Sequence, residues 1–298
     1  SGGRRVKPRG TDGVGERVQR VTIGSLFSGI GGLDLGLEHA LRDGGFDAET
    51  TWQCEADAWC RGILARHWPS AVRYDDVRRV GADNASRVDV LCGGFPCQDV
   101  SVAGKGAGLA GERSGLWFEF ARIVRELRPR VVVVENVSAL VSRGLDRVLG
   151  DLAEAGYDAV WFDLRASDVG APHRRERLFI VSWSVGDSPG SHWRRRLGEA
   201  RGTRNDRRAG GSCRSVRVRG SESVVGRDAH GLPGWMDIAA HRWPVGPDEA
   251  QPEGEPPRVT TERRERRQRL KALGNAVVPQ VGYVVGCVVA RVLSKEWP

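Results

Sequence analysis

Runs of β-branched and aliphatic residues recur along the first 183 positions of this chain, and segments of helical period separate them. The run at 21–27 ends in Ser28-Gly29-Ile30-Gly31-Gly32, after which apolar residues recur at helical spacing over 33–41. Further strands are predicted at 50–54, 88–92, 131–134, 159–164 and 178–183, with helices at 57–67, 116–127 and 145–155. Parallel strands need a crossover of a dozen or more residues, and intervening helices supply it. The expected fold is therefore α/β: a Rossmann-like, mostly parallel sheet with helices on both faces. Ligands of such sheets bind beyond the carboxyl ends of the strands, so functional residues belong in those loops.

The character changes after Trp183. Residues 184–269 are rich in Arg, Gly, Pro and Ser and hold few long apolar runs, whereas 270–278 and 281–293 are apolar again, the second long enough for a packed helix. The middle stretch reads as a small basic lobe inserted before the last elements of the main domain. The expected organisation is an N-terminal arm at 1–20, a main domain at 21–183, the lobe at 184–269 and a closing segment at 270–298. A net charge of +8, nearly all from arginine, fits a nucleic-acid partner or simply a solvated basic surface. The basic run at 263–271 reads as a solvated helix face.

Cys54, Cys60, Cys92, Cys97, Cys213 and Cys287 show neither paired CxxC spacing nor His neighbours. This predicts free thiols in a reducing compartment and no metal site. No run of about 18 apolar residues is present, and the charged start Ser1-Gly2-Gly3-Arg4-Arg5 lacks the apolar region of a secretory signal. The expectation is a cytoplasmic protein with no membrane partner.

Two loops carry chemistry. In Leu26-Phe27-Ser28-Gly29-Ile30-Gly31-Gly32-Leu33-Asp34, absent side chains let a ligand approach the backbone, and the helix start offers free N–H donors. Asp34 stands where a dinucleotide fingerprint has its third glycine. Glu55 ends the next predicted strand, about 20 residues on, where an acid accepts from a ribose diol. These features suit S-adenosylmethionine and nicotinamide nucleotides alike. The second loop, Cys92-Gly93-Gly94-Phe95-Pro96-Cys97-Gln98-Asp99-Val100-Ser101, sets Cys97 at the ligand edge, where a thiolate is a soft nucleophile for an electron-poor ring carbon. The glycine-rich run 101–115 suits a mobile lid.

The Phe95-Pro96-Cys97-Gln98 run resembles the nucleophile motif of cytosine-5 DNA methyltransferases, and Leu26–Asp34 resembles that family's cofactor motif. Gly111-Glu112-Arg113-Ser114-Gly115-Leu116-Trp117, Val134-Glu135-Asn136-Val137, Pro172-His173-Arg174-Arg175-Glu176-Arg177 and Leu273-Gly274-Asn275-Ala276-Val277-Val278-Pro279 are similar to four further family motifs, in family order. The resemblance runs from about residue 23 to 290 and leaves only the middle lobe unmatched.

The resemblance implies a class I methyltransferase fold and transfer of a methyl group from S-adenosyl-L-methionine to carbon 5 of a flipped cytosine in double-stranded DNA. Carried over residue by residue, Cys97 is the nucleophile and Glu135 holds and protonates N3, with Arg175 and Arg177 at the base carbonyl and thiolate region. Cofactor contacts fall to Phe27, Ser28, Gly29, Ile30, Gly31, Gly32, Glu55, Asp76, Val77, Pro96, Asn275 and Val277, with Asp75 an alternative to Asp76. Ser101, Arg113, Arg217 and Arg219 face DNA, the last two from a lobe placed like the family's target-recognition domain. His173 departs from the family's glutamine, and Ala56 from the large stacking side chain that many relatives carry after the glutamate. The chain is expected to act as a monomer, and the resemblance admits a cognate restriction endonuclease for the same site as a partner. A tRNA-methylating branch of the family is a rival. A nicotinamide oxidoreductase would leave Cys97 and Glu135 idle, and a silent DNA-binding protein would not need them.

Overall fold

The computed structural model describes residues 18–96, 115–171, 173–187 and 263–295, and every structural statement concerns these. Seven strands form one sheet: β1 (Arg20–Leu26), β2 (Asp47–Cys54), β3 (Val72–Tyr74), β4 (Val90–Gly94), β5 (Val131–Asn136), β6 (Tyr157–Arg165) and β7 (Glu176–Ser184). Their order is β3-β2-β1-β4-β5-β7-β6. All pairings from β3 through β5 are parallel, whereas β7 runs antiparallel to both β5 and β6. The described helices are α1 (Gly32–Asp43), α2 (Ala58–His67), α3 (Gly115–Leu127), α4 (Leu145–Glu154), α5 (Arg266–Asn275) and α6 (Pro279–Leu293). The α/β, mostly parallel expectation holds. Sequence pattern missed β3, whose three residues are too few to show a strand period, and Val72 within it is 55% exposed.

The four consecutive valines of β5 explain the two-layer core. Val131 and Val133 join the cluster beneath α1 and α6, while Val132 and Val134 join the one beneath α3 and α4. A strand alternates faces, so a run of unbroken apolar residues means both faces are covered.

Helix α6 lies against α1 with little between them. A Cβ on Gly36 would sit 2.4 Å from the Pro279 carbonyl oxygen and 2.5 Å from the Gly282 carbonyl carbon. Those neighbours are backbone and cannot swing aside. Gly36→Ala is therefore expected to cost ~1–3 kcal/mol, since overpacking forces helices apart. Urea denaturation of the variant beside the wild type measures it, and an unchanged midpoint would contradict this packing. The span Arg266–Leu293 contains an 18-residue window of mean hydropathy 1.8, of which 56% is buried within the protein. Helix α6 supplies most of that apolar character and spends it on the core.

Candidate active site at the carboxyl edge of the sheet

The loops after β1, β2, β3, β4 and β5 converge on one edge, together with the start of the reversed strand β7. At the first of them, Phe27 takes a left-handed φ of 55°, unusual for a side chain bearing a Cβ, and Gly29 (58°) and Gly31 (82°) complete the turn into α1. Glu55 fastens it: its Oε2 accepts from Gly29 N at 2.8 Å and its Oε1 from Asp57 N at 2.8 Å. Asp57 in turn caps α2, its Oδ1 accepting from Trp59 N at 2.9 Å and Cys60 N at 3.2 Å. A Cβ on Gly32 would lie 2.0 Å from the Val277 carbonyl oxygen, so the absent side chain lets the closing segment dock on the turn.

These loops enclose a cavity of about 810 Å³. Of the residues singled out from sequence, Phe27, Gly29, Glu55, Asp76, Val77, Pro96, Glu135, Arg177 and Asn275 line it, and so does the alternative Asp75. Ser28, Ile30, Gly31, Gly32, Arg175 and Val277 do not. Ser28 braces the turn instead, its N–H donating to Cys54 O at 3.1 Å. Asp76 caps the short 3₁₀ turn Val77–Arg79 and pairs with Arg78 Nε at 2.9 Å, which holds its carboxyl below the usual range. Cys97, Ser101, Arg113, Arg217 and Arg219 lie outside the described residues, as do most of the arm, nearly all of the proposed lid and 188–262 of the lobe.

One end of the cavity is an acid held among cations. Glu135, near the end of β5, is 13% exposed, and its Oε1 meets Arg177 Nε at 3.1 Å. Burial pushes its carboxyl up, while the positive charges of Arg177 and Arg175 oppose that rise. Gly94 makes room, since a Cβ there would come within 2.4 Å of Glu135 Oε2. Arg175 has a φ of 31° and donates from Nη1 to Gly274 O at 2.5 Å. Its Nε and Nη2 are buried without a hydrogen-bond partner, and burial lowers the pKa of its guanidinium. Asn136 donates from Nδ2 to Phe95 O at 3.1 Å and accepts from Val137 N at 2.9 Å, tying the exit of β5 to the segment entering Pro96. His173, the departure from the family motif, is exposed.

The described cysteines, Cys54, Cys60, Cys92 and Cys287, are all free. Burial pushes Cys54 up to about 12, aided by Glu55, Asp76 and Asp75, and pushes Cys60 and Cys287 up to about 11. Complete burial raises the Cys92 thiol well above its usual range. A thiol held in this way yields little thiolate near neutral pH.

Beneath the turn, Asp34 is fully buried with Oδ1 3.7 Å from Cys92 Sγ and Oδ2 unpartnered. Burial lifts its carboxyl from 3.8 to about 6, against the pull of a Ser25 hydrogen bond. That rise corresponds to ~3 kcal/mol against the ionised form. Below pH 3.8 the group is protonated whether the chain is folded or not, and contributes nothing to pH dependence. Between 3.8 and about 6 the unfolded chain releases a proton that the folded chain keeps, so stability falls as pH rises. Asp34→Asn is expected to flatten that stretch of a Tm-against-pH curve, and an unaltered slope would show that Asp34 does not set it.

Sequence reading missed the contribution of α2 and α5. Trp59, Gln268 and Lys271 also line the cavity. Lys271 Nζ donates to Asp57 Oδ2 at 2.9 Å and Trp59 Nε1 to Glu265 Oε2 at 3.0 Å, so the two helices are clasped. The sequence expectation for 263–271 is a solvated helix face, and no local pattern marks the residues of α5 that turn inward.

Residues 21–195 match the sequence profile described as C-5 cytosine-specific DNA methylase. Similar proteins include the type II methyltransferase M.Bsp6I of Bacillus sp. (strain RFL6), 36% identical over 167 residues that make up 54% of this chain and 51% of that protein. Another is the type II methyltransferase M.HhaI of Haemophilus parahaemolyticus, 34% identical over 52% of this chain and 47% of its own length. A third, M.NlaIV of Neisseria lactamica, is 31% identical over 55% and 41%. The chain thus spans about half the length of the relatives it matches.

Proposed function

Because the chain belongs to the C-5 cytosine-specific DNA methylase family, we propose that it transfers a methyl group from S-adenosyl-L-methionine to carbon 5 of a cytosine flipped out of double-stranded DNA. The observation that carries this reading is the shared cavity: a buried acid paired with an arginine, Glu135 and Arg177, opens into the same space as the Phe27, Glu55 and Asp76 loops.

The chain's residues suit both ligands. Phe27 offers a flat face for adenine. Glu55, although it holds two backbone N–H groups, keeps lone pairs for a ribose diol, and Asp76 keeps one carboxylate oxygen for an exocyclic amine. Asn275 and the docked Val277 segment would close the pocket. When bound, S-adenosylmethionine supplies an electrophilic methyl group on its sulfonium.

Carbon 5 of cytosine is too weak a nucleophile to take that methyl unaided. In the proposed reaction the Cys97 thiolate adds to carbon 6, the C5–C6 electron pair becomes available at carbon 5, and Glu135 delivers its proton to N3. Burial keeps that proton on Glu135 closer to neutral pH than on an exposed glutamate. Arg177, which lines the cavity and pairs with Glu135, would meet an acceptor such as the base carbonyl, and Arg175 adds positive charge beside Glu135. Carbon 5 would take the methyl group that the cofactor supplies, then lose its proton to water as Sγ leaves and the double bond reforms, with N3 giving its proton back to Glu135. Cys97 is assigned by its motif: its neighbour Pro96 lines the cavity, and burial pushes the thiols of Cys54, Cys60, Cys92 and Cys287 away from reactivity, which leaves Cys97 and Cys213 as candidates. Flipping the base costs a few kcal/mol, offset by contacts in the pocket and along the phosphates.

On this reading Ser101, Arg113, Arg217 and Arg219 contact DNA, residues 184–269 form a target-recognition domain, and 270–298 complete the catalytic domain. The protein acts as a monomer in the cytoplasm, with a cognate restriction endonuclease for the same site. That last assignment draws on relatives named as type II methyltransferases. Methylation of a plasmid library, sequenced by a method that reports 5-methylcytosine, tests activity, base and target together, with bulk tRNA as a parallel substrate. Methyl groups at one short motif in DNA are expected. Incorporation into tRNA alone would give the reaction to the RNA branch, and none into either would overturn it.

A further inference from the structure

Trp59 stands in the first turn of α2, half-buried in the cavity wall, and its indole N–H is held by a carboxylate from the far end of the chain. The holder, Glu265, occupies the N-cap position of α5 at φ 53° and ψ 22°, the left-handed region, yet makes no side-chain cap bond. A glutamate in that conformation spends its carboxylate on Trp59 rather than on its own helix. Ala272 is the one buried residue of α5, and Leu270 and Leu273 are 59% and 62% exposed. Polar ties add to this: Lys271 to Asp57, and the Gly274 carbonyl oxygen accepting from Arg175. Beside Glu55, meanwhile, Ala56 adds only an exposed methyl to the cavity.

We propose that Trp59, pinned by Glu265, is a second aromatic face for the cofactor's purine ring besides Phe27, so that cofactor binding and the docking of α5 are coupled. This rests on the cofactor reading given above. A purine is a flat π-system, and an indole whose edge is anchored keeps its face presented without losing rotamer freedom on binding. Coupling follows by reciprocity: a ligand that needs Trp59 in place favours the docked helix that holds it there, and the docked helix favours the ligand equally.

The test is a double-mutant cycle on the full chain, with S-adenosylhomocysteine binding measured by calorimetry. Trp59→Ala is expected to weaken binding by about tenfold or more, the usual loss when a stacking ring is removed. Trp59→Phe keeps a ring but has no N–H to hold. Glu265→Ala should therefore weaken binding several-fold in the native background and leave it unchanged in the Trp59→Phe background. Hydrogen exchange across 266–275 should slow when ligand binds the wild type, and slow less in Glu265→Ala. Should Trp59→Ala misfold, the Trp59→Phe and Glu265→Ala arms decide alone. Wild-type binding with Trp59→Ala within twofold of it, or a Glu265→Ala loss that persists in Trp59→Phe, would overturn the proposal while sparing the cofactor reading. A wild type that binds no S-adenosylhomocysteine removes both.

Discussion

Cys97→Ala is expected to cut methyl transfer by roughly 10,000-fold or more, the scale on which enzymes lose rate when a covalent nucleophile is deleted. S-adenosylmethionine affinity should stay within a few fold. The asymmetry follows from what each ligand needs. The proposed cofactor pocket is lined by Phe27, Gly29, Glu55 and Asp76 on the loops after β1 to β3, all of which the variant keeps. The cytosine ring, by contrast, gains nucleophilic character at carbon 5 only when sulfur has added at carbon 6. Single-turnover rates with cofactor binding measured in parallel check it. Retained turnover would remove Cys97 from the mechanism and send the search to Cys213, because Cys54, Cys60, Cys92 and Cys287 are held as neutral thiols.

Glu135→Gln should slow the chemical step by about 100- to 10,000-fold, the range for loss of a positioned general acid. It should weaken DNA binding far less. Glutamine can still hydrogen-bond to a base edge, but it has no proton to give. The wild-type pH profile carries the sign. The donor must be protonated, so the rate falls as pH rises through the elevated pKa that burial gives Glu135, and this limb should be absent in the variant. Equal losses in rate and in DNA affinity would mean that Glu135 positions the base without protonating it.

Much of this architecture can be read along the chain because its signals are local. Strand and helix periods repeat over a handful of residues, so β1, β5, β7, α1, α3 and α6 all stand within a few positions of their expected ends. The strand β3 is the exception, for its three residues carry no period. The site residues at strand ends were legible for the same reason: Glu55, Pro96 and Glu135 each follow a recognisable strand and face the edge where ligands gather. Roles inside the turn were less legible. Of Phe27 to Gly32 only Phe27 and Gly29 reach the cavity, while Gly32 is spent on admitting the Val277 carbonyl.

What the order of residues determined alone is the alternation that makes an open sheet and the identity of the groups at its edge, since each depends on near neighbours. Tertiary structure alone decided that Arg177 rather than Arg175 pairs with Glu135, and that a run of arginines and lysine hides a wall of the cavity. It alone set Glu265 against Trp59, 206 positions away. Contacts of that kind arise only when separate segments are packed together, and a backbone carbonyl or a distant carboxylate leaves no periodicity behind to announce it.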